Sequence, residues 1–192
     1  MPVYISLLRG INVGGNKIIL MDDLRKLYEK LRLTNVRTYI QSGNVAFVAK
    51  IRDPIELGKL IKDGVRESFK FDVGVIVLEL YQLDRLIAGN PFSDERVRRG
   101  GRIYFTFLLQ LPAKEKIDEL NDMKMRLAKA SGSGDDFEII GRTIYVLCRN
   151  GWSKSPFNSS VTEKILRVDT TSRNLETIEK LAEIGQSLNS DR

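Results

Sequence analysis

Between Arg9 and Lys17 the chain gathers groups that bind anions. Arg9, Gly10, Asn12, Gly14, Gly15, Asn16 and Lys17 fall within nine residues, and no acidic side chain interrupts them. Glycines let backbone N–H groups face a ligand, asparagines add directional donors, and the two cations add charge. The spacing fits neither the GxxxxGK[ST] phosphate loop nor the GxGxxG dinucleotide turn. The same composition also describes a long turn, with glycines supplying positive φ and asparagines bonding to nearby backbone. Both readings stay open at this point.

Three further stretches carry chemistry. Gln41-Ser42-Gly43-Asn44 is rich in amide and hydroxyl donors. Residues 151–156 hold Trp152 and Lys154. Residues 170–174 bring Thr171, Arg173 and Asn174 to the start of the last helix, with Ser172 or Asn174 as its expected N-cap. Hydroxyls, an arginine and helix N-terminal amides suit an anion, and plain capping explains the same residues. The chain has no histidine, which removes the commonest neutral-pH base and Ser-His and Cys-His nucleophile pairs. Any catalysis would fall to Asp, Glu, Tyr, a lysine such as Lys154, or Cys148, the single cysteine. Cys148 ends an apolar run and reads as a buried small hydrophobe. No motif calls for a metal or a cofactor.

The elements that must position these residues follow from periodicity. An apolar strand (Val3, Ile5, Leu7) enters the first loop, and a helix starting at Met21 leaves it with Leu24, Leu27, Tyr28 and Leu31 as one buried stripe. Residues 36–40 and 44–48 predict strands joined by a tight Gln41-Ser42-Gly43-Asn44 turn. Asp53-Pro54 opens a second helix carrying Ile55, Leu57, Leu60, Ile61 and Val65, and residues 73–78 make a fourth strand. That order is the ferredoxin-like βαββαβ unit, with the first two strands parallel and the third between them. It brings the loop after strand one and the turn after strand two to one sheet edge. Residues 103–109, 113–130, 137–140 and 143–148 repeat the order. Ser160-Val161-Thr162-Glu163 predicts a capping box, Val168 begins a brief last strand, and a terminal helix carries Leu175, Ile178, Leu181 and Leu188. Strands three and four of this half run the same way, so residues 151–156 and 170–174 should share an edge.

The expected fold is α/β (α+β), two ferredoxin-like halves in tandem plus a C-terminal helix. Residues 1–85 and 102–192 form the halves, and residues 86–101, with Arg96, Arg98, Arg99 and Gly100-Gly101, form a basic linker. One cysteine and the lack of a signal peptide or membrane segment predict a cytoplasmic protein. The net charge of +6 favours anionic partners.

Four motifs carry a resemblance. Leu8-Arg9-Gly10-Ile11-Asn12-Val13-Gly14-Gly15-Asn16, Tyr39-Ile40-Gln41-Ser42-Gly43-Asn44-Val45, Asn90-Pro91-Phe92 and Thr171-Ser172-Arg173-Asn174 resemble the bacterial domain-of-unknown-function family numbered 1697. The resemblance spans nearly the whole chain. It implies an α/β protein of two ferredoxin-like halves and brings no activity or catalytic residue. That family usually places an aromatic after Thr-x-Arg-Asn; Leu175 stands there in this chain.

Three functional expectations follow. The first is a module binding a phosphate-bearing ligand, a nucleotide-like metabolite or nucleic acid. Arg9 and Lys17 would supply charge, and Asn12, Asn16, Gln41, Ser42 and Asn44 directional donors. The Gly14-Gly15 backbone would add amides, and Arg173 with Thr171 and Asn174 a second contact. The second is a histidine-free enzyme acting on a phosphorylated small molecule. The third is a protein-interaction module or homodimer in which the motifs are only turns; asparagines bonded wholly to their own backbone would favour it.

Overall fold

In the computed structural model of the chain, residues 1–94, 100–130 and 134–190 are described. They form two compact units: Met1–Ala88 with Thr177–Arg192, and Gly89–Glu176.

The first unit is β1 (Val3–Leu8), α1 (Met21–Lys30), β2 (Thr34–Tyr39), β3 (Asn44–Val48), α2 (Pro54–Phe69), β4 (Val75–Glu79) and α3 (Leu80–Ala88). Its sheet order is β2-β3-β1-β4 with every neighbouring pair antiparallel. β1 and β2 therefore run the same way with β3 between them, as the βαββαβ order requires. β1 is buried along its whole length, which explains its nearly unbroken apolar sequence. Tyr4 stacks on Phe47 at 5.8 Å, and Tyr28 of α1 meets Phe47 edge-on at 5.4 Å. The Tyr28 hydroxyl lies 2.8 Å from Ser6 Oγ. Burial holds that phenol neutral by raising its pKa, and the Ser6 bond offsets this only in part. α2 starts where Asp53 Oδ1 accepts from Ile55 N at 2.8 Å and Pro54 occupies the first turn.

The second unit is β5 (Arg102–Leu108), α4 (Lys114–Lys129), β6 (Asp136–Ile140), β7 (Thr143–Cys148), a 3₁₀ turn (Trp152–Lys154), α5 (Ser159–Leu166) and β8 (Thr170–Asn174). Its sheet order, β6-β7-β5-β8, repeats the topology of the first. Phe137 and Phe157 meet edge-on at 4.9 Å in a core with Leu108, Leu120, Ile144 and Val146. β8 leads directly into α6 (Leu175–Ser190).

Several expectations change. Residues 170–174 form strand β8, paired with β5 from Tyr104↔Asn174 to Leu108↔Thr170. Ser172 is therefore no helix cap: its hydroxyl bonds Thr106 Oγ1 at 2.7 Å and Ser159 Oγ at 2.8 Å. Asn158, two residues before the expected box, caps α5 by accepting from Val161 N at 3.1 Å, which frees Glu163 to accept from Thr170 N at 2.7 Å. Ile55 is exposed at the first turn of α2 rather than part of its buried stripe. The last helix is counted with the first unit, not with residues 102–176. Gly185 of α6 packs so closely that a Cβ there would lie 2.7 Å from Leu80 Cδ1 and 3.5 Å from Ile5 Cδ1. Arg96, Arg98 and Arg99 of the expected linker, and residues 131–133 between the expected helix 113–130 and strand 137–140, lie outside the described residues.

Gly43 closes the β2–β3 turn with φ +73°, and its carbonyl accepts from Leu8 N at 2.8 Å. A Cβ there would stand 2.7 Å from Leu8 Cβ and 2.9 Å from Ile11 Cδ1. Gly43→Ala combines a left-handed backbone with overpacking, so it should cost about 2–3 kcal/mol in urea unfolding.

Candidate functional site

The loop between β1 and α1 is a miniature hairpin. Val13 and Asn16 form an antiparallel bridge, closed by Asn16 N donating to Val13 O at 3.0 Å. Gly14 and Gly15 between them have φ +58° and +76°, as a primed two-residue turn requires. Asn12 and Lys17 flank the bridge, also at positive φ, with Asn12 N donating to Lys17 O at 3.2 Å.

The Asn12 carboxamide fixes this loop to the rest of the edge. Its Nδ2 donates to Ile19 O at 2.9 Å and to Gln41 O at 2.8 Å, and its Oδ1 accepts from Ile19 N at 2.8 Å. The first loop and the β2–β3 turn thus meet at one edge. Of the other predicted donors Asn44 is turned inward and Ser42 is half-buried, while Asn16, Lys17 and Gln41 are exposed. Asn44 is fully buried, and its amide bonds Tyr39 O at 3.1 Å and Ser42 Oγ at 2.9 Å. Asn16 Nδ2 reaches Gly14 O at 3.3 Å. Lys17 Nζ rests on Asp72 O at 2.7 Å, a carbonyl rather than a carboxylate, and has no ion pair among the described residues. Arg9 is half-buried at the end of β1, its N–H on Gly74 O at 2.8 Å.

Beside the exposed Asn16, Lys17 and Gln41, this edge also shows aliphatic side chains to solvent. Val13, Ile18, Leu20 and Ile40 are 63%, 64%, 66% and 52% exposed, four of the ten exposed large hydrophobics among the described residues. Three lie on the first loop and the fourth on the turn that Asn12 ties to it. Ile40 has φ +48°. A β-branched residue in the left-handed region is strained, and this one leaves half of its side chain in solvent. Composition assigns these residues to the core; only the Gly14-Gly15 pair, a known hairpin signal, hinted that Val13 stands at a projecting tip.

The second cluster lies in the second unit. Trp152 stacks on Tyr104 at 4.2 Å and 17°, and Tyr104 stands opposite Asn174 in the sheet. Residues 151–156 and the end of β8 therefore share an edge. Thr171 is buried, and its Oγ1 accepts from Arg173 Nη1 at 2.9 Å; a second bond runs from Nη1 to Ser172 O at 2.8 Å. Burial pushes the Arg173 pKa down to about 10, which leaves it cationic at neutral pH. Lys154 is exposed at the end of the 3₁₀ turn and makes no side-chain contact with Thr171 or Arg173 among the described residues. Burial, with the charge of Asp135, raises the Cys148 pKa, so the thiol stays protonated. Tyr104 is likewise raised, chiefly by burial. These shifts favour uncharged thiol and phenol and activate no nucleophile. Among the described residues no group of three or more Cys, Asp or Glu could hold a metal ion, and no helix is long and apolar enough to cross a membrane.

Two ferredoxin-like units in tandem, the first carrying a clamped Gly/Asn loop, make this an α/β protein. The chain belongs to the family described as Protein of unknown function (DUF1697), whose profile matches residues 1–145. No curated protein sequence matches it. Among solved structures it is similar to the conserved bacterial protein SP0830 from Streptococcus pneumoniae. The two share 21% identity over 96% of this chain and 98% of that one, with a TM-score of 0.67. At that identity the likeness is one of fold.

Two predictions follow from these contacts. Asn12→Asp faces a carboxylate toward the Ile19 and Gln41 carbonyls, so it should cost about 1–3 kcal/mol and speed hydrogen exchange at Ile19. The thiol and phenols ionise more readily in the unfolded chain than in the fold. Their contribution is intact at neutral pH and is lost as pH rises past about 9. Urea melts should show stability falling from pH 8 to 10, with Cys148→Ala flattening the earliest part.

Proposed function

We propose that the protein is a binding module whose rim at the end of β1 docks a protein partner. One observation carries this reading: the Asn12 and Asn44 amides are engaged within the rim itself, while four aliphatic side chains at the same edge face solvent. Exposed apolar side chains grouped on a rigid scaffold are characteristic of interaction sites. The Asn12 clamp and the Gly14-Gly15 turn pre-organise the loop, which lowers the ordering cost of association. Ile40 supports the same reading, being a strained, half-exposed aliphatic at a position where Asn or Gly would sit more comfortably.

A second reading keeps an anionic ligand, a phosphate-bearing small molecule or nucleic acid. Lys17 favours it, since its ammonium is held on a carbonyl and its charge is unneutralised by any ion pair among the described residues.

The test is affinity capture from native extract with wild type, Val13→Ser/Ile18→Ser/Ile40→Ser, and Ile55→Ser as an exposed aliphatic control elsewhere. The partner should be retained by wild type and control and lost from the triple variant. Equal retention by all three would overturn the reading. Retention that instead depends on Lys17 and is removed by nuclease or polyphosphate would favour the anionic ligand. Ile40→Asn alone should hold or raise stability, by up to about 1 kcal/mol, while weakening capture.

A further inference from the structure

α4 carries a second surface with a pattern of its own. Glu115, Asp118, Asp122, Met125, Arg126 and Lys129 are all exposed and line one shallow groove on the second unit. Steps of three, four, three, one and three residues keep them on one stripe of the helix. Acids occupy the first half of the stripe and bases the second. Leu120, on the opposite side, is buried in the core, so the stripe has no role in packing the unit.

The helix dipole favours Glu115 in the first turn and Arg126 and Lys129 in the last; Asp118 and Asp122 lie beyond its reach, and the whole order has a symmetry of its own. Turned end for end about Asp122, the stripe matches itself. Glu115 falls opposite Lys129, Asp118 opposite Arg126, and Glu119 opposite Met125, each pairing occurring twice. Among the described residues, Glu115, Asp118, Asp122, Arg126 and Lys129 have no ion pair within the chain. Glu119 alone is committed, to Lys116 at 2.7 Å, which lowers its pKa.

We propose that α4 is a self-association face, on which two copies pair antiparallel about a two-fold axis at Asp122. A second copy is the occupant that this charge order fits, since the interface it makes is isologous. The contact is polar, with Met125 as its exposed apolar residue, and Asp122 meets its own copy at the axis. Exposed pairs contribute little singly and are screened by salt, so the dimer is weak and sensitive to ionic strength.

Sedimentation velocity on the full chain tests this at about 0.05 M and about 0.5 M NaCl, on either side of the range where screening takes hold. The wild type should dimerise at low salt and dissociate at high salt. Glu115→Lys/Asp118→Lys and Arg126→Glu/Lys129→Glu should each be monomeric. A one-to-one mixture of the two should dimerise, because every cross pair is then opposite in sign. Asp122→Asn should tighten the wild-type dimer several-fold. A wild type that stays monomeric at low salt, or a dimer whose constant is unchanged in both double variants, overturns the proposal. Circular dichroism melts confirm that each variant folds; if one does not, Asp118→Lys with Arg126→Glu makes the same swap with single changes. The rim variant Val13→Ser/Ile18→Ser/Ile40→Ser should leave the dimer unchanged, which separates this face from the docking rim.

Discussion

The carboxamide of Asn12 decides how the first unit presents itself. Three hydrogen bonds from one side chain join the first loop, the backbone just before α1 and the β2–β3 turn. Each group it satisfies lies where chain direction changes and where no strand or helix ladder can reach. Without that clamp, a loop with five left-handed residues (Gly10, Asn12, Gly14, Gly15 and Lys17) would have several competing conformations. With it, the loop becomes a fixed extension of the sheet edge. Asn also tolerates the left-handed backbone, at φ +55°, that aims its amide inward.

Most of the fold was legible because its signals are local. β1 reads as a strand from Val3, Ile5 and Leu7, and α1 reads from Leu24, Leu27 and Tyr28. The Asp53-Pro54 start of α2 is written in two residues. β8 was not legible. Thr170-Thr171-Ser172-Arg173-Asn174 has the composition of a cap, and it becomes a strand because the edge of β5 needs a partner. The cap of α5 was misplaced for a related reason. Ser160 and Glu163 fit a capping box, yet Glu163 is claimed by Thr170 in β8, and Asn158 takes the cap.

The candidate site shows a sharper divide. That Arg9–Lys17 and Gln41–Asn44 would meet could be read from strand order alone. Which atoms would be left over could not. The acceptors that consume Asn12 and Asn44 are carbonyls of Ile19, Gln41 and Tyr39, and those exist as partners only after folding. The aliphatics were hidden by the opposite error. Ile18 and Leu20 are core-type residues by composition, and only the clamped backbone turns them outward. Density of donors in a sequence therefore measures how much backbone a loop must satisfy as well as what it can offer a ligand.

The path of the chain through its two units bears on how the protein is made. The first unit is interrupted by the second and completed by α6, whose Gly185 lies against Ile5 from the opposite end of the sequence. During synthesis, residues 1–88 emerge long before the helix that finishes their packing, so Ile5 and Leu80 wait on the ribosome without their α6 partner. Residues 89–176 emerge next, and their own core of Phe137, Phe157 and Leu120 is complete before α6 appears. The main core of the first unit, from Tyr4 to Val77, is likewise contained in residues that emerge before α6, so only the face formed by Ile5 and Leu80 waits for that helix.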